Sequence, residues 1–562
     1  MKLFYKRHDE AANRFLEKVD AAVREQISGD REIYFFGHSH VSVMAISHIH
    51  EVFPDRKIGG FVDNDAKKYA LGERDGRYEF RVQPVSAISS MKGRVVVLIA
   101  SKHHECMAEQ LRGMGFVDGE EIISVTDLSE EEHAFNLTAG DDFEEVSTRD
   151  IKLLQLEMLR YIRQICDENG ILYYLAYGTL LGAVRDQGMI PWDDDTDIFI
   201  WGKDYDRFAD IVNRDGRYQM IYLKNCEEFY NDLGQLVNPR FIKDRNLFPM
   251  GYTTGITVDV FPLWNQPDDT EKENFILDYR LREEAIFEEF GRHGTIRDAM
   301  FERERFWSFF TDDDSENVGF MHWGYYSEVF KRKWFEDTVE FPLDGEMFKV
   351  PVGFDDLLKN TYGAGYMSPP QSLENIVHRS HYYVNADPEI IGDGIELARD
   401  RKIMAEGKLK YDMETATASE AAAIEIPEEW ESKLIKQDGN RKKVILFDTG
   451  AGAVLHYRAA MLDKLEDCLA IFADNSQDIT VLWQTRGNGA GLIKDQALQD
   501  RYRGLLQRFL TSGMGIYDDS TDYARAVGFC DAYYGDGGAV AQMVKEAGKP
   551  VMIMNVEILS GR

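Results

Sequence analysis

Apolar positions recur along the chain in two rhythms. Ala12, Phe15, Leu16, Val19, Ala22 and Val23 stand at helical spacing, and the continuous apolar runs IYFFG (33–37), IGGFVD (58–63) and VVVLIA (95–100) read as buried strands with helices between them. The third run leads into a helix ending near Gly113 or Gly115, so residues 1–127 are expected to form a Rossmann-like parallel α/β unit. The alternation returns over 431–562: KVILF at 443–447, a helix around 454–472, ITVLWQ at 479–484, a helix near 495–511, DAYYGD, a helix at 539–547 and PVMIM at 550–554. A second parallel sheet follows from it. Between these ends, residues 148–169 place Ile151, Leu154, Met158, Ile162 and Ile165 on one helix face, with Thr148 as N-cap and Gly170 as stop. A strand ILYYLA, a tight turn at Tyr177-Gly178-Thr179 and a short helix through Arg185 come next. Residues 128–147, acidic, and 411–430, small and acidic with Pro427, carry no apolar period. Both read as linkers and as preferred protease sites, bounding a central unit at 148–410.

Composition narrows the class. Across 562 residues, 44% are hydrophobic, enough for several cores. Lys plus Arg number 65 against 99 Asp plus Glu, a net charge of −34 that repels phosphate backbones and disfavours nucleic acid as a partner. Cys106, Cys166, Cys226, Cys468 and Cys530 form no C-x-x-C pair, which fits a reducing compartment. The start lacks an apolar leader core, and no apolar run approaches the ~18 residues of a membrane span, so a cytoplasmic protein without a transmembrane segment is expected.

Candidate chemistry is uneven. In the first unit Gly37 and Asp63 close the first two strands, but the turn GHSHVS lacks the later glycines of a dinucleotide fingerprint, leaving a structural glycine and a capping aspartate as the plainer reading. His38, His40, His48 and His50 cluster without convincing ligand spacing. The informative stretch is GMIPWDDDTDIFIW. Asp195 and Asp197 are one residue apart, so on a strand both carboxylates leave the same face and can share one hard cation, Mg2+ or Mn2+, since no His or Cys stands nearby. The competing reading of Asp193-Asp194-Asp195 is a solvated turn. Asp259, isolated between Val258 and Val260 in ITVDVFPLW, shifts the balance, because an ionised carboxylate buried there needs a cation or several donors. An exposed edge-strand position is its alternative.

A glycine-threonine turn opening a helix, then a D-x-D strand, then a lone Asp on a later strand is the layout of the nucleotidyltransferase superfamily. More specifically, GTLLGAVRDQGMIPWDDDTDIFI (178–200) resembles the signature of the LicD and fukutin-related family of phosphotransferases, and RFIKDRN (240–246), GITVDVFPL (255–263) and YGAGYMSPP (362–370), followed by His378 and His381, resemble its later landmarks. The resemblance implies a central nucleotidyltransferase-like mixed sheet flanked by the two Rossmann-like units, an α/β and α+β multidomain fold. It also implies transfer of a phosphocholine or phosphoalditol group from a CDP-linked donor to a hydroxyl of a cell-surface glycan or lipid-linked precursor, releasing CMP. The carried-over residues are Gly178 and Thr179 at the turn, Arg185 as an anion contact, and Asp195, Asp197 and Asp259 as the acids, with Lys243 or Arg245 as further phosphate contacts. Asp259 stands either as base for the acceptor hydroxyl or as a metal ligand. The zinc-binding cysteines of some eukaryotic relatives are absent, so no structural metal is expected.

Residues 441–556 resemble, more distantly, the second half of CDP-glycerol glycerophosphotransferases, a GT-B arrangement, with Asp536-Gly537-Gly538 in place of an acid followed by two serines and WQTRGNG in place of a His-Pro element. A binding or assembly role is favoured there, although the glycine-rich loop before the 539–547 helix offers N–H groups to an anion. Two further hypotheses stand beside the leading one: a nucleotidyltransferase that makes an activated sugar or alditol donor, releasing pyrophosphate, and a non-catalytic scaffold for glycan-assembly enzymes. A homo-oligomer, and peripheral placement at the inner membrane face through the acceptor, complete the expectations.

Overall fold

The computed structural model describes residues 15–69, 80–101, 104–125, 144–222, 224–226, 233–243, 255–266, 284–285, 288, 292, 315–322, 326–368, 381–385, 391–392, 394–411, 426–486, 489–520 and 522–559. The chain is a multidomain α/β protein. Its first sheet contains β1 (Glu32–Phe36), β2 (Ile58–Asp63), β3 (Val82–Pro84), β4 (Val95–Ile99) and β5 (Ile122–Ser124), all parallel in the order β3-β2-β1-β4-β5. The β-branched run of β4 is buried throughout because helices cover both faces of a parallel sheet.

The central sheet is mixed. β6 (Tyr173–Leu175), β7 (Asp197–Trp201), β8 (Gln219–Ile221), β9 (Gly234–Asn238), β11 (Ile256–Gln266), β12 (Asn317–His322) and β13 (Tyr326–Lys331) make seven strands, with β7 parallel to β11 in the middle and β9 antiparallel to β11. β10 (Phe241–Lys243) pairs with β16 (Tyr382–Val384), and β14 (Thr338–Leu343) with β15 (Glu346–Pro351). The helix Thr148–Asn169 packs its apolar face on this sheet and stops at Gly170, whose φ is +62°. Its N-cap is Ser147 rather than Thr148: the Ser147 hydroxyl accepts from the Asp150 N–H at 3.2 Å.

The last sheet holds β17 (Lys443–Asp448), β18 (Ile479–Gln484), β19 (Gly515–Asp518), β20 (Ala532–Gly535) and β21 (Val551–Ile553), parallel in the order β19-β18-β17-β20-β21, the same winding as the first. The single helix expected at 454–472 is two, Ala451–Tyr457 and Ala459–Asp474, broken at Arg458, whose φ of +53° no α-helix accommodates.

The central and last sheets share one hydrophobic core, in which Val184, Tyr366 and Met367 belong with Ala453, Val454 and Met461. Most of the expected linkers, 126–143 and 412–425, lies outside the described residues. Their described edges are not all solvated: Tyr411 packs on Tyr523 and is buried, as is Trp430. The first unit meets the central one where His38, following β1, pairs with Glu284. Among the described residues no helix is long and apolar enough to cross a membrane. Cys106 is exposed and the other four cysteines are buried, and none of the five is in a disulfide.

Candidate active site

The site grows from the parallel pair at the centre of the mixed sheet. Asp259 of β11 is the register partner of Asp197 of β7, so their side chains leave the same face of neighbouring strands. On the other side of β11, Gln235 is the partner of Asp259 and donates Nε2 to its Oδ1 at 2.8 Å. Asp195 does not lie on the strand with Asp197, as the D-x-D spacing suggested; β7 begins at Asp197, and Asp193 to Thr196 form the loop entering it. That loop and the segment leading into it are pinned from several directions. Gln155 donates to the Asp194 carbonyl at 2.9 Å, the Asp259 N–H to the Thr196 carbonyl at 2.8 Å, and Lys152 Nζ to the Ile190 carbonyl.

The turn Tyr177-Gly178-Thr179 is the first turn of a helix, Tyr177–Leu181, which continues as a wider π turn, Gly182–Asp186. Tyr177 opens it at φ +40°, its ring set edge-on against Phe199 and Phe261, and Gln187 closes it at φ +55°. Thr179 Oγ1 accepts from the Asp197 N–H at 2.9 Å, tying this helix to the start of β7. Gly178 leaves room for the Asp193 carboxylate, which a Cβ there would overlap and displace.

The electrostatics describe a crowded acidic cluster with two lysines. Burial, then the neighbouring Asp195, holds the Asp193 carboxyl well above the ordinary carboxylate range. Burial also raises Asp259, to about 6, with Asp195 adding to it and Gln235 and Lys243 opposing. Burial pushes Lys152 down to about 8 against the pull of Asp193, Asp344, Asp194 and Asp195. Lys243 is raised: burial works against its charge, but Tyr382, Asp194 and Asp259 outweigh it. Lys243 Nζ lies 5.6 Å from the centre of the Tyr382 ring.

The structure therefore brings Asp195, Asp197, Asp259, Gly178, Thr179 and Lys243 together. Arg185 is elsewhere: buried, it donates Nε and Nη2 to Asp186 at 3.0 and 2.8 Å and faces the last sheet, 5.9 Å from the Trp192 ring. Arg245 and His378 lie outside the described residues, and the exposed His381 pairs with Glu145 at 2.7 Å. Lys152 and Gln155 carry no sequence signal of a place in the site: three residues apart beside the apolar stripe of their helix, they are indistinguishable from its polar flank. An oxygen-only set of buried, mutually repelling carboxylates suits a hard divalent cation, which would relieve that repulsion. Among the described residues, however, no three or more His, Cys, Asp or Glu stand as a ready-made ligand cage.

Acids paired across two parallel strands of a mixed central sheet, preceded by a helix that carries Gly178 and Thr179, fit a nucleotidyltransferase-type domain. Residues 170–292 match the family described as LicD/FKTN/FKRP, nucleotidyltransferase domain, and the chain carries a domain of that family. It is 20% identical over 262 residues to the lipopolysaccharide cholinephosphotransferase LicD of Haemophilus influenzae, an alignment covering 42% of this chain and 98% of that protein. An uncharacterised protein of Rickettsia prowazekii is 32% identical over 127 residues, 22% of this chain and 42% of its own length. One of Rickettsia typhi is 43% identical over 56 residues, 10% of this chain and 18% of its own.

Proposed function

We propose that this chain transfers a phosphoryl-linked headgroup from a CDP-activated donor to a hydroxyl of a cell-surface glycan or its precursor, releasing CMP. The observation that carries the reading is the register pairing of Asp197 with Asp259 beside the Asp193–Asp195 loop, inside the segment that matches the LicD family. The similarity to a cholinephosphotransferase supports a transferase of phosphate-linked groups acting on a glycan.

Asp195 and Asp197 would hold a divalent cation, Mg2+ or Mn2+, together with the donor's phosphate oxygens. When bound, such a cation neutralises charge on the transferred phosphoryl group and on the departing CMP. Lys243, kept charged by its acidic neighbours, adds a fixed cation for the same oxygens. Gly178, lacking a side chain, admits the Asp193 carboxylate beside the turn and so lets the acidic loop close on this helix. Thr179 and Gln155 hold the acids in place rather than touching the donor. Asp259, oriented by Gln235, either accepts the proton of the acceptor hydroxyl or completes the cation's ligands.

The test is incubation of the purified full chain with CDP-choline, CDP-glycerol and CDP-ribitol, with and without glycan acceptors. CMP release that rises with acceptor supports transfer; pyrophosphate release from CTP and a sugar or alditol phosphate marks the nucleotidyltransferase alternative. In the Asp259→Asn variant, lost transfer with cation-induced stabilisation intact assigns the base, and loss of both assigns a ligand.

A further inference from the structure

Parallel sheets wound as β19-β18-β17-β20-β21 hold ligands in the crevice beyond the carboxyl ends of their central strands. In the last unit that crevice lies between Asp448 to Gly450 and Gly535 to Gly538, and it is filled by the catalytic unit's own turn. Asp186 Oδ1 accepts from the N–H of Ala539, the first residue of the helix Ala539–Glu546, at 3.0 Å and lies 3.9 Å from Arg486 Nη1. Gly538, at φ +134°, leaves room for it, since a Cβ there would overlap the Asp186 carboxylate. Arg486 holds Asp448 through Nε at 3.0 Å and through Nη2, and donates Nη1 to the Arg185 carbonyl. Tyr411 donates to the Asp186 carbonyl, and a Cβ on Gly452 would overlap the Val184 carbonyl. The side chains of Asp186, Arg486 and Asp448 have no exposed surface.

A carboxylate held by a helix N-terminus and flanked by guanidinium groups has the surroundings that such a crevice gives a phosphate. We propose that Asp186 is a ligand supplied by the chain itself: the last unit takes no donor nucleotide in this crevice but uses it to clamp the turn Gly182–Gln187. The clamp fixes the helix that carries Gly178 and Thr179 against Asp193 and Asp197, about 10 Å further along. That helix is bounded by Tyr177 and Gln187, both non-glycine residues at positive φ, a conformation that persists only where the surroundings enforce it. Asp186 and Arg486 are thus positioning residues for the reaction proposed above, and only the kinetic part of the test rests on that reading.

The experiment compares full-length wild type, Asp186→Asn, Asp186→Ala and Arg486→Met by hydrogen–deuterium exchange. In the Ala and Met variants, peptides covering 177–190 and 536–546 should exchange about tenfold faster or more, while those in 32–63 stay unchanged. Asp186→Asn, which keeps the shape and loses the charge, should fall between. Added formate, the small carboxylate that fits the vacated space, should restore protection in Asp186→Ala but not in Arg486→Met. With CDP-choline, kcat of Asp186→Ala should fall with KM nearly unchanged and recover with formate, a split that general destabilisation does not produce. Unchanged exchange over 177–190, failure of formate, or protection of 536–546 in wild type by CMP or CDP-choline would overturn the proposal. If wild type releases no CMP from any donor, the activity reading fails while the exchange measurements still decide the clamp.

Discussion

Replacing Asp400 tests how the motif RFIKDRN is held. Its first residue, Arg240, is buried and donates Nε to Asp400 Oδ2 at 2.6 Å, while Asn238 Nδ2 donates to the same oxygen at 3.0 Å. Asp400 lies on the helix Ile395–Glu406 with no exposed surface. In Asp400→Ala the guanidinium keeps weaker partners, among the described residues the Arg217 carbonyl at 2.7 Å and the Tyr218 ring at 5.3 Å. A buried charge stripped of its partner costs about 3–5 kcal/mol, whereas an apolar pair of similar volume is often neutral. Asp400→Ala should therefore lose about 3–5 kcal/mol, Asp400→Asn about half of that, and Arg240→Met with Asp400→Leu should recover most of the loss. Urea unfolding followed by tryptophan fluorescence and circular dichroism measures each. Because Arg240 directly precedes β10, which carries Lys243, the single variants should also weaken donor binding. A loss below about 1 kcal/mol in Asp400→Ala, or a double variant no better than the single, would refute the account of a buried pair whose worth lies in being complete.

Three further outcomes are expected. Asp195→Asn and Asp197→Asn should each lower CMP release about 100-fold or more while circular dichroism stays unchanged. Gly178→Ala gains about 1 kcal/mol of helix propensity but displaces the Asp193 carboxylate, so stability should change little in thermal unfolding while turnover falls. Burial raises the Asp355 carboxyl, but hydrogen bonds from His456, Lys359 and Tyr366 outweigh it and hold it at about 2. A depressed carboxylate stabilises above its unfolded value and loses that contribution as pH falls through the folded one, here about 2 kcal/mol between about pH 4 and 2. Melting temperatures over that range should fall more steeply for wild type than for Asp355→Asn.

The longer strands of both end units are legible because β-branched and aromatic runs between turn residues have few other uses. The short β3, β5 and β19, and the helix Tyr523–Phe529, lack such runs and go unread. The Asp344-Gly345 turn joining β14 to β15 is a recognisable hairpin signal. In the site, the closeness of Asp259 to Asp197 follows from a lone acid inside an apolar strand. The setting of Arg185 is not legible because it depends on residues such as Arg486, 301 positions away in the chain, which no local period can announce.

The shared core and the Asp186–Ala539 hydrogen bond also set an order of assembly. These partners are 353 residues apart, so a ribosome delivers the acids of the central sheet long before the helix that seats Asp186. Until β17 to β21 emerge and pack, the turn Gly182–Gln187 leaves charged groups and strained backbone without their final neighbours. The turn Gly182–Gln187 of the nascent protein thus gains its last partners only once the final sheet has been translated.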